Sequence, residues 1–178
     1  MRGFAAIGLV RPKDRSNLGS VLRAAACYDA SLVAFQAPRY GDGDLRRAIT
    51  DTTKAWRHIP TLNGDDIMDL MPVGSVPVAV DLVPGAVSLC DFKHPQSAFY
   101  IFGPEDGTLG ASVTDRCAHK VMIPTAYCMN LAATVNVVLY DRLAKRNADV
   151  AQRKEHPASN RRVAGSIPAV CANLTEAA

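Results

Sequence analysis

Apolar and polar positions come in blocks along this chain, and the blocks predict short buried strands alternating with amphipathic helices. Phe4 to Val10 is apolar without helical spacing, as a strand buried on both faces must be. Lys13 to Ser16 form a polar turn. Val21, Leu22, Ala25, Ala26 and Tyr28 then make the apolar stripe of a helix that Asn17 would cap. Ser31 to Phe35 returns as a second strand, closing a β-α-β unit whose crossover is expected to be right-handed. After the turn-rich residues 38–43, Leu45 to Lys54 reads as a short helix with a basic face of Arg46, Arg47 and Lys54. Trp56 to Leu62 reads as a strand, Asp65 to Met71 as a helix, and the nearly continuous β-branched run Val76 to Leu82 as a strand. Ala98 to Phe102 is a further buried strand, Leu109 to Arg116 a helix, and His119 to Ile123 a last strand. Strands and helices in alternation predict an α/β fold: a mostly parallel sheet with helices on both faces.

The final strand stops at Pro124, a short polar turn follows, and Asn130 stands at an N-cap position ahead of an Ala/Val-rich run from Ala132 to Leu143. Strand, tight loop and helix in this order collect unpaired backbone groups at a sheet end, where open α/β folds bind ligands. Taken alone, the same stretch reads equally as an ordinary connection. From Asn147 the periodicity dissolves into Arg153-Lys154-Glu155-His156-Pro157 and Asn160-Arg161-Arg162. Residues 1–147 are therefore expected to form the domain and 148–178 a C-terminal tail, mobile unless it docks on a partner chain.

Composition narrows the class without naming a partner. The 178 residues suffice for one α/β domain with a sizeable core. A 48% hydrophobic and 21% charged chain is ordinary for a globular protein, and no apolar run approaches the roughly 20 residues that span a bilayer. The N-terminus lacks a secretory pattern, so a cytoplasmic protein with no membrane association is expected. Cys27, Cys90, Cys117, Cys128 and Cys171 are scattered, without C-x-x-C or a histidine at ligand spacing; free thiols and no metal are expected. His58, His94 and His119 show no partner spacing and are assigned no chemistry. A net charge of +3 allows a polyanionic partner but does not require one.

Three stretches carry the candidate chemistry. In Asn17-Leu18-Gly19-Ser20-Val21-Leu22-Arg23, the arginine follows Gly19 at i+4, near a helix start that favours anions, so its guanidinium suits a phosphate or a ribose. A solvated surface arginine is the plain alternative, and for Asn17 it is a simple cap. In Phe102-Gly103-Pro104-Glu105, glycine permits close backbone approach and proline stiffens the turn, giving a pocket edge after a buried strand. Glu105 is a carboxylate at that strand end: it could bind a ribose hydroxyl, orient Arg23, or cap the helix beginning near Thr108. The third stretch is Ile123-Pro124 with the following Met129-Asn130-Leu131.

Taken in order, N-x-G-x-x-x-R, F-G-P-E and I-P with x-M-N-L, the chain resembles the SpoU (TrmH-like) RNA 2′-O-ribose methyltransferases of the SPOUT class over about residues 4 to 146. It is most similar to the minimal members that methylate the tRNA wobble ribose, whose pattern Leu45-Arg46-Arg47-Ala48 also follows. The resemblance implies a deep C-terminal trefoil knot, S-adenosylmethionine as cofactor, RNA as substrate (tRNA before rRNA) and a homodimer. In the dimer Arg23 of one chain would lie near the cofactor of the other, with Val137, Tyr140 and Leu143 on the interface. It also implies a catalytic set of Arg23, Asn17, Glu105 and Asn130, and a cofactor site of Val80, Phe102, Gly103, Ile123, Cys128, Met129 and Leu131. An arginine keeps its proton to a pKa above about 12, so Arg23 would position and stabilise charge, with the proton acceptor left open.

Departures from the family pattern stand at Gly107-Thr108-Leu109, where Arg-Gly-Leu is common, at Tyr127 and at Cys128. They leave room for a non-catalytic RNA-binding relative with the same fold. A nucleotide-binding oxidoreductase fares worse, because the G-x-G-x-x-G fingerprint is missing.

Overall fold

The computed structural model describes residues 3–39, 50–52 and 54–155; of residues 149–155 only the helical backbone is described. The elements are β1 (Ala5–Val10), α1 (Arg15–Cys27), β2 (Leu32–Gln36), β3 (Thr61–Gly64), β4 (Val76–Val80), β5 (Val87–Ser88), β6 (Ala98–Phe102), α2 (Ala111–Thr114), β7 (His119–Met122) and α3 (Leu131–Glu155). Met1–Leu143 forms one compact unit, which holds the sheet; the residues from Ala144 on form a separate one.

The strands make a seven-stranded sheet in the order β3-β2-β1-β6-β4-β7-β5, and every pair is parallel. The apolar runs sort between its two faces by the two-residue period of a strand. Ile7, Leu9, Val33, Phe35, Val78, Tyr100 and Phe102 pack with Leu18, Val21 and Leu22 of α1 and Leu131, Val135 and Val138 of α3. Ala6, Ala34, Ala79, Phe99 and Ile101 face the other way, onto Ile67, Leu109 and Val113. The central strands β1 and β6 are thus covered on both sides, which is why they are apolar throughout.

Several local expectations change. The cap of α1 is Asp14, not Asn17: the Ser16 N–H donates to Asp14 Oδ1 at 2.8 Å, and Asn17 lies inside the first turn. Instead of a strand from Trp56, Ala55–Arg57 form a single 3-10 turn, wound because the Asp51 carboxylate accepts the Ala55 and Trp56 N–H groups at 2.9 and 3.1 Å. Pro60 then precedes the strand Thr61–Gly64. Residues 65–71, expected as a helix, make successive turns closed by three-residue bonds such as Leu70 N–H to Ile67 O at 3.3 Å, before Pro72 stops them. The helix expected over Leu109 to Arg116 shrinks to Ala111–Thr114. Two-residue β5 was not foreseen, being too short for any periodicity, and α3 runs on to Glu155 past the end of the apolar run at Leu143. The basic helix read over Leu45 to Lys54 lies mostly outside the described residues, as does the tail from residue 156.

Among the histidines, His58 and His119 are exposed, while His94 is held by the Tyr100 hydroxyl at 2.6 Å and Asp141 Oδ2 at 2.8 Å. The four described cysteines are free; burial pushes the Cys117 thiol up to about 11, against the weaker opposing pull of Lys120 and Arg116. No described helix is long and apolar enough to cross a membrane.

Candidate active site

The C-terminal ends of β1, β6, β4 and β7 lie side by side, so the segments that leave them share one edge of the sheet. A cavity opens there between the exits of β4, β6 and β7, and it is lined by Val80, Phe102, Gly103, Ile123, Cys128, Met129 and Leu131. All seven residues expected to hold the cofactor therefore meet in one place, although β4 and α3 are some fifty residues apart in the chain. Asp81, Leu82, Pro104, Glu105, Gly107, Met122, Thr125 and Thr134 complete the wall.

Gly103 has a geometric reason to be glycine. A Cβ built on it would stand 3.2 Å from the Leu109 backbone nitrogen and 3.4 Å from the Leu109 side chain. The chain after β6 doubles back so closely that only a bare backbone fits without displacing it. Apolar walls with backbone groups at strand ends suit a flat heterocycle and the aliphatic arm of a sulfonium. The residues present thus fit the cofactor that the resemblance implies.

Beside the cavity, three of the four residues expected to be catalytic form one hydrogen-bonded chain. Asn130 caps α3, its Oδ1 accepting the Ala132 N–H at 2.9 Å, and its Nδ2 donates to Asn17 Oδ1 at 2.8 Å. The Asn17 Nδ2 in turn donates to Glu105 Oε1 at 2.8 Å. Glu105 also accepts the Lys13 N–H at 2.8 Å and, more weakly, the Asp14 N–H at 3.4 Å. Because Asp14 takes the cap of α1, the Asn17 amide is free for this bridge.

The same bonds set the charge state of Glu105. Partial burial, the largest single effect, pushes its pKa up, but the Asn17 amide and the backbone N–H groups of Lys13 and Asp14 together outweigh it and leave the carboxyl below its ordinary value. Such a carboxylate is a weak base and a good anchor. Of the three roles open to Glu105, the observed contacts support none directly: it caps the turn before α1 rather than α2, and it does not touch Arg23. The cap of α2 is Gly110.

Arg23 is exposed on α1, lines no part of the cavity and is engaged by none of the described residues. Within one chain the structure does not bring it to Asn17, Glu105 and Asn130. Two charged groups that sequence reasoning missed stand on the same edge. Asp106 accepts from Arg39 Nη1 at 3.1 Å, also from Arg39 Nη2, and from Lys13 Nζ at 3.4 Å. Its pKa is lowered to about 2, chiefly by the hydrogen-bonded Arg39 guanidinium. The other missed residue is Asp81 at the end of β4; its only signal was a lone carboxylate breaking the apolar run Val76 to Leu82.

Comparison with known proteins adds to this geometry. The profile of the SpoU rRNA Methylase family matches residues 5–140. No curated protein matches the sequence. Among solved structures, the SpoU methyltransferase AviRb from Streptomyces viridochromogenes superposes with a TM-score of 0.72 at 19% identity, over 84% of this chain and 62% of that one. An AdoMet-bound rRNA methyltransferase from Sinorhizobium meliloti gives 0.70 at 21% identity, over 82% of this chain and 57% of that one. A structure described as giving insights into the 2-OH methylation of C/U34 on tRNA gives 0.66 at 22% identity, over 82% and 92%. At these identities the likeness shows the fold, and the chain spans less than two thirds of the length of the first two.

Proposed function

The chain belongs to the SpoU rRNA methylase family, and from that premise we propose that it transfers a methyl group from S-adenosylmethionine to a ribose 2′-hydroxyl of RNA, tRNA before rRNA, in the cytoplasm. The observation that carries this reading is the bonded chain Asn130–Asn17–Glu105, which ties the three motif stretches together at the rim of the cavity. The described solved structure for C/U34 methylation on tRNA, which this chain covers to 92% of its length, supports tRNA as the substrate class.

S-adenosylmethionine when bound supplies an electrophilic methyl on a sulfonium. Val80, Phe102, Ile123, Met129 and Leu131 would enclose it with apolar surface, and the backbone around Gly103 and Cys128 would offer hydrogen bonds. Asn17 and Asn130 would orient the ribose, each amide bringing a donor and an acceptor, with Glu105 fixing Asn17. Arg23 would hold the target nucleotide and stabilise charge as the hydroxyl oxygen attacks in line; most of the acceleration then comes from positioning and electrostatics. That it lines no part of the cavity within one chain supports a homodimer in which a partner subunit supplies it. Tyr140 and Leu143, apolar and exposed at 62% and 44% on α3, suit that contact. The insertion of β7 between β4 and β5 supports a chain threaded as a knot requires.

The test is transfer of labelled methyl from S-adenosylmethionine to bulk tRNA, followed by mapping of ribose methylation in RNA from cells with and without the protein. Incorporation at a ribose 2′-oxygen is expected. Binding of tRNA without transfer would mark a non-catalytic relative, a reading to which the exposed Tyr127 and the cavity-lining Cys128 would then belong.

A further inference from the structure

We infer that Asp81 is a positioning residue for the cofactor: its carboxylate pins the loop after β6 to the end of β4 and so holds the cavity in its binding shape. The inference rests on the cofactor reading proposed above.

Three segments build the cavity, and Asp81 touches all of them. It directly follows β4, and its backbone N–H donates to the Val121 carbonyl of β7 at 2.9 Å. One carboxylate oxygen, Oδ2, accepts the N–H of Leu109 in the loop after β6; the other, Oδ1, accepts the N–H of its own neighbour Leu82 at 2.7 Å. Asp81 also lines the cavity, as do Leu82 and Gly107 on either side of the clamp.

The Leu109 nitrogen is the atom that a Cβ at Gly103 would approach within 3.2 Å. Asp81 therefore decides how close residues 107–109 come to Gly103, and hence the width of the slot. A bond from a backbone N–H to an ionised carboxylate is stronger than one between neutral groups, and this clamp uses both oxygens as acceptors. Asparagine has the same shape but one acceptor only. Its NH2 would face one of the two N–H donors, so either the Leu109 contact is lost or it is kept with a neutral, weaker acceptor set against the Leu82 N–H; the tie on the loop loosens both ways.

The experiment compares wild-type protein with Asp81→Asn in two assays. By calorimetry with S-adenosylhomocysteine, the variant should lose about ten-fold or more in affinity, the scale of one charge-assisted hydrogen bond. In methyl transfer to tRNA, the KM for S-adenosylmethionine should rise by a similar factor while the KM for tRNA stays within about two-fold; a merely structural role would lower the melting temperature and leave the two KM values in their original ratio. Equal affinity of a folded Asp81→Asn protein, or an equal rise in both KM values, overturns the inference. If the wild-type protein itself binds no S-adenosylhomocysteine, the cofactor reading falls first and this inference with it. Should the variant fail to fold, amide exchange in the wild-type protein decides: the Leu109 N–H is expected to be protected and to slow further with S-adenosylhomocysteine, and exchange as fast as in a solvated loop would overturn the clamp.

Discussion

Strands β1 and β6 lie side by side in the sheet, and the polar groups at their two ends are built on opposite terms. Where they enter the sheet, the Arg142 guanidinium is buried, at 3% exposure, and each of its terminal nitrogens makes two hydrogen bonds. It donates to the carbonyls of Phe4 at 3.0 Å, Pro95 and Gln96 at 2.6 Å each, and to the Tyr100 hydroxyl at 3.1 Å. Where the same strands leave the sheet, the Lys13 N–H, Glu105, Asn17 and Asn130 are joined in an open chain at a cavity rim, with both Asn130 and Glu105 exposed. Helix α3 serves both, its cap Asn130 standing twelve residues, about 18 Å along a helix, from Arg142. The difference teaches where each kind of network is useful. A charge taken out of water must have all its bonds made, and once made they fix α3 against the sheet. Groups that are to meet a ligand must keep donors and acceptors to spare, so they contribute less to stability.

The sharpest test of this contrast is Arg142→Met, which takes the guanidinium away from the part-buried Pro95 and Gln96 carbonyls, while the Phe4 carbonyl keeps the Ala98 N–H. Stability should fall by about 2–3 kcal/mol, the scale of taking the donor from a desolvated acceptor. Urea unfolding measures it, and cofactor affinity of the protein that remains folded should be unchanged. A loss below about 1 kcal/mol would break the comparison from the entry side.

Arg23→Ala tests the other side. Methyl transfer should fall about 100-fold, the scale of losing one stabilising group in a transition state. The unfolding midpoint should barely move, because the side chain is exposed and engaged by none of the described residues. Near-normal turnover would remove Arg23 from the mechanism.

Asn130→Ala removes the cap of α3 and the link to Asn17 together. A stability loss of about 1 kcal/mol is expected, the usual value of an N-cap, with a larger relative loss of turnover. If unfolding instead cost as much as for Arg142, the site end would be structural and the contrast would collapse.

The smallest effect concerns Asp106, whose carboxyl is lowered from 3.8 to about 2, first by the Arg39 hydrogen bond. A depressed carboxyl contributes its stabilisation above its unfolded value and loses it as pH falls through the folded one. The ties to Arg39 and Lys13 should thus hold above 3.8 and let go as pH falls through about 2, their contribution to stability fading between the two values. Carbon NMR of the Asp106 carboxyl should show this midpoint, and Arg39→Gln should return it toward 3.8; a midpoint already near 3.8 in the wild-type protein would show the ion pair to be idle.

Much of the fold was legible because burial leaves a mark residue by residue. Ala5–Val10, Ala98–Phe102 and the run from Val76 are apolar for the local reason that each is covered on both faces, and Asn130 caps α3 with atoms from its own turn. The cavity residues were named from the resemblance to the family, and the legible strands that precede them end at one edge of the sheet. The turns at residues 65–71 and the cap of α1 were misread where two local outcomes are nearly equal in energy. At α1, Asp14 and Asn17 can both cap a helix, and only the demand of Glu105 and Asn130 for the Asn17 amide separates them.

What the chain by itself determined, then, is where most of the strands lie and which side chains must be buried. What only the tertiary structure decided is who bonds to whom. Asn17 reaches Glu105 across 88 positions and Asn130 across 113, and Arg142 reaches Phe4 across 138. No periodicity records such partners. They are selected by the strand order, which sets β1 against β6 and β4 against β7, and by the cost of leaving a polar group unpaired once that order has brought it to a neighbour.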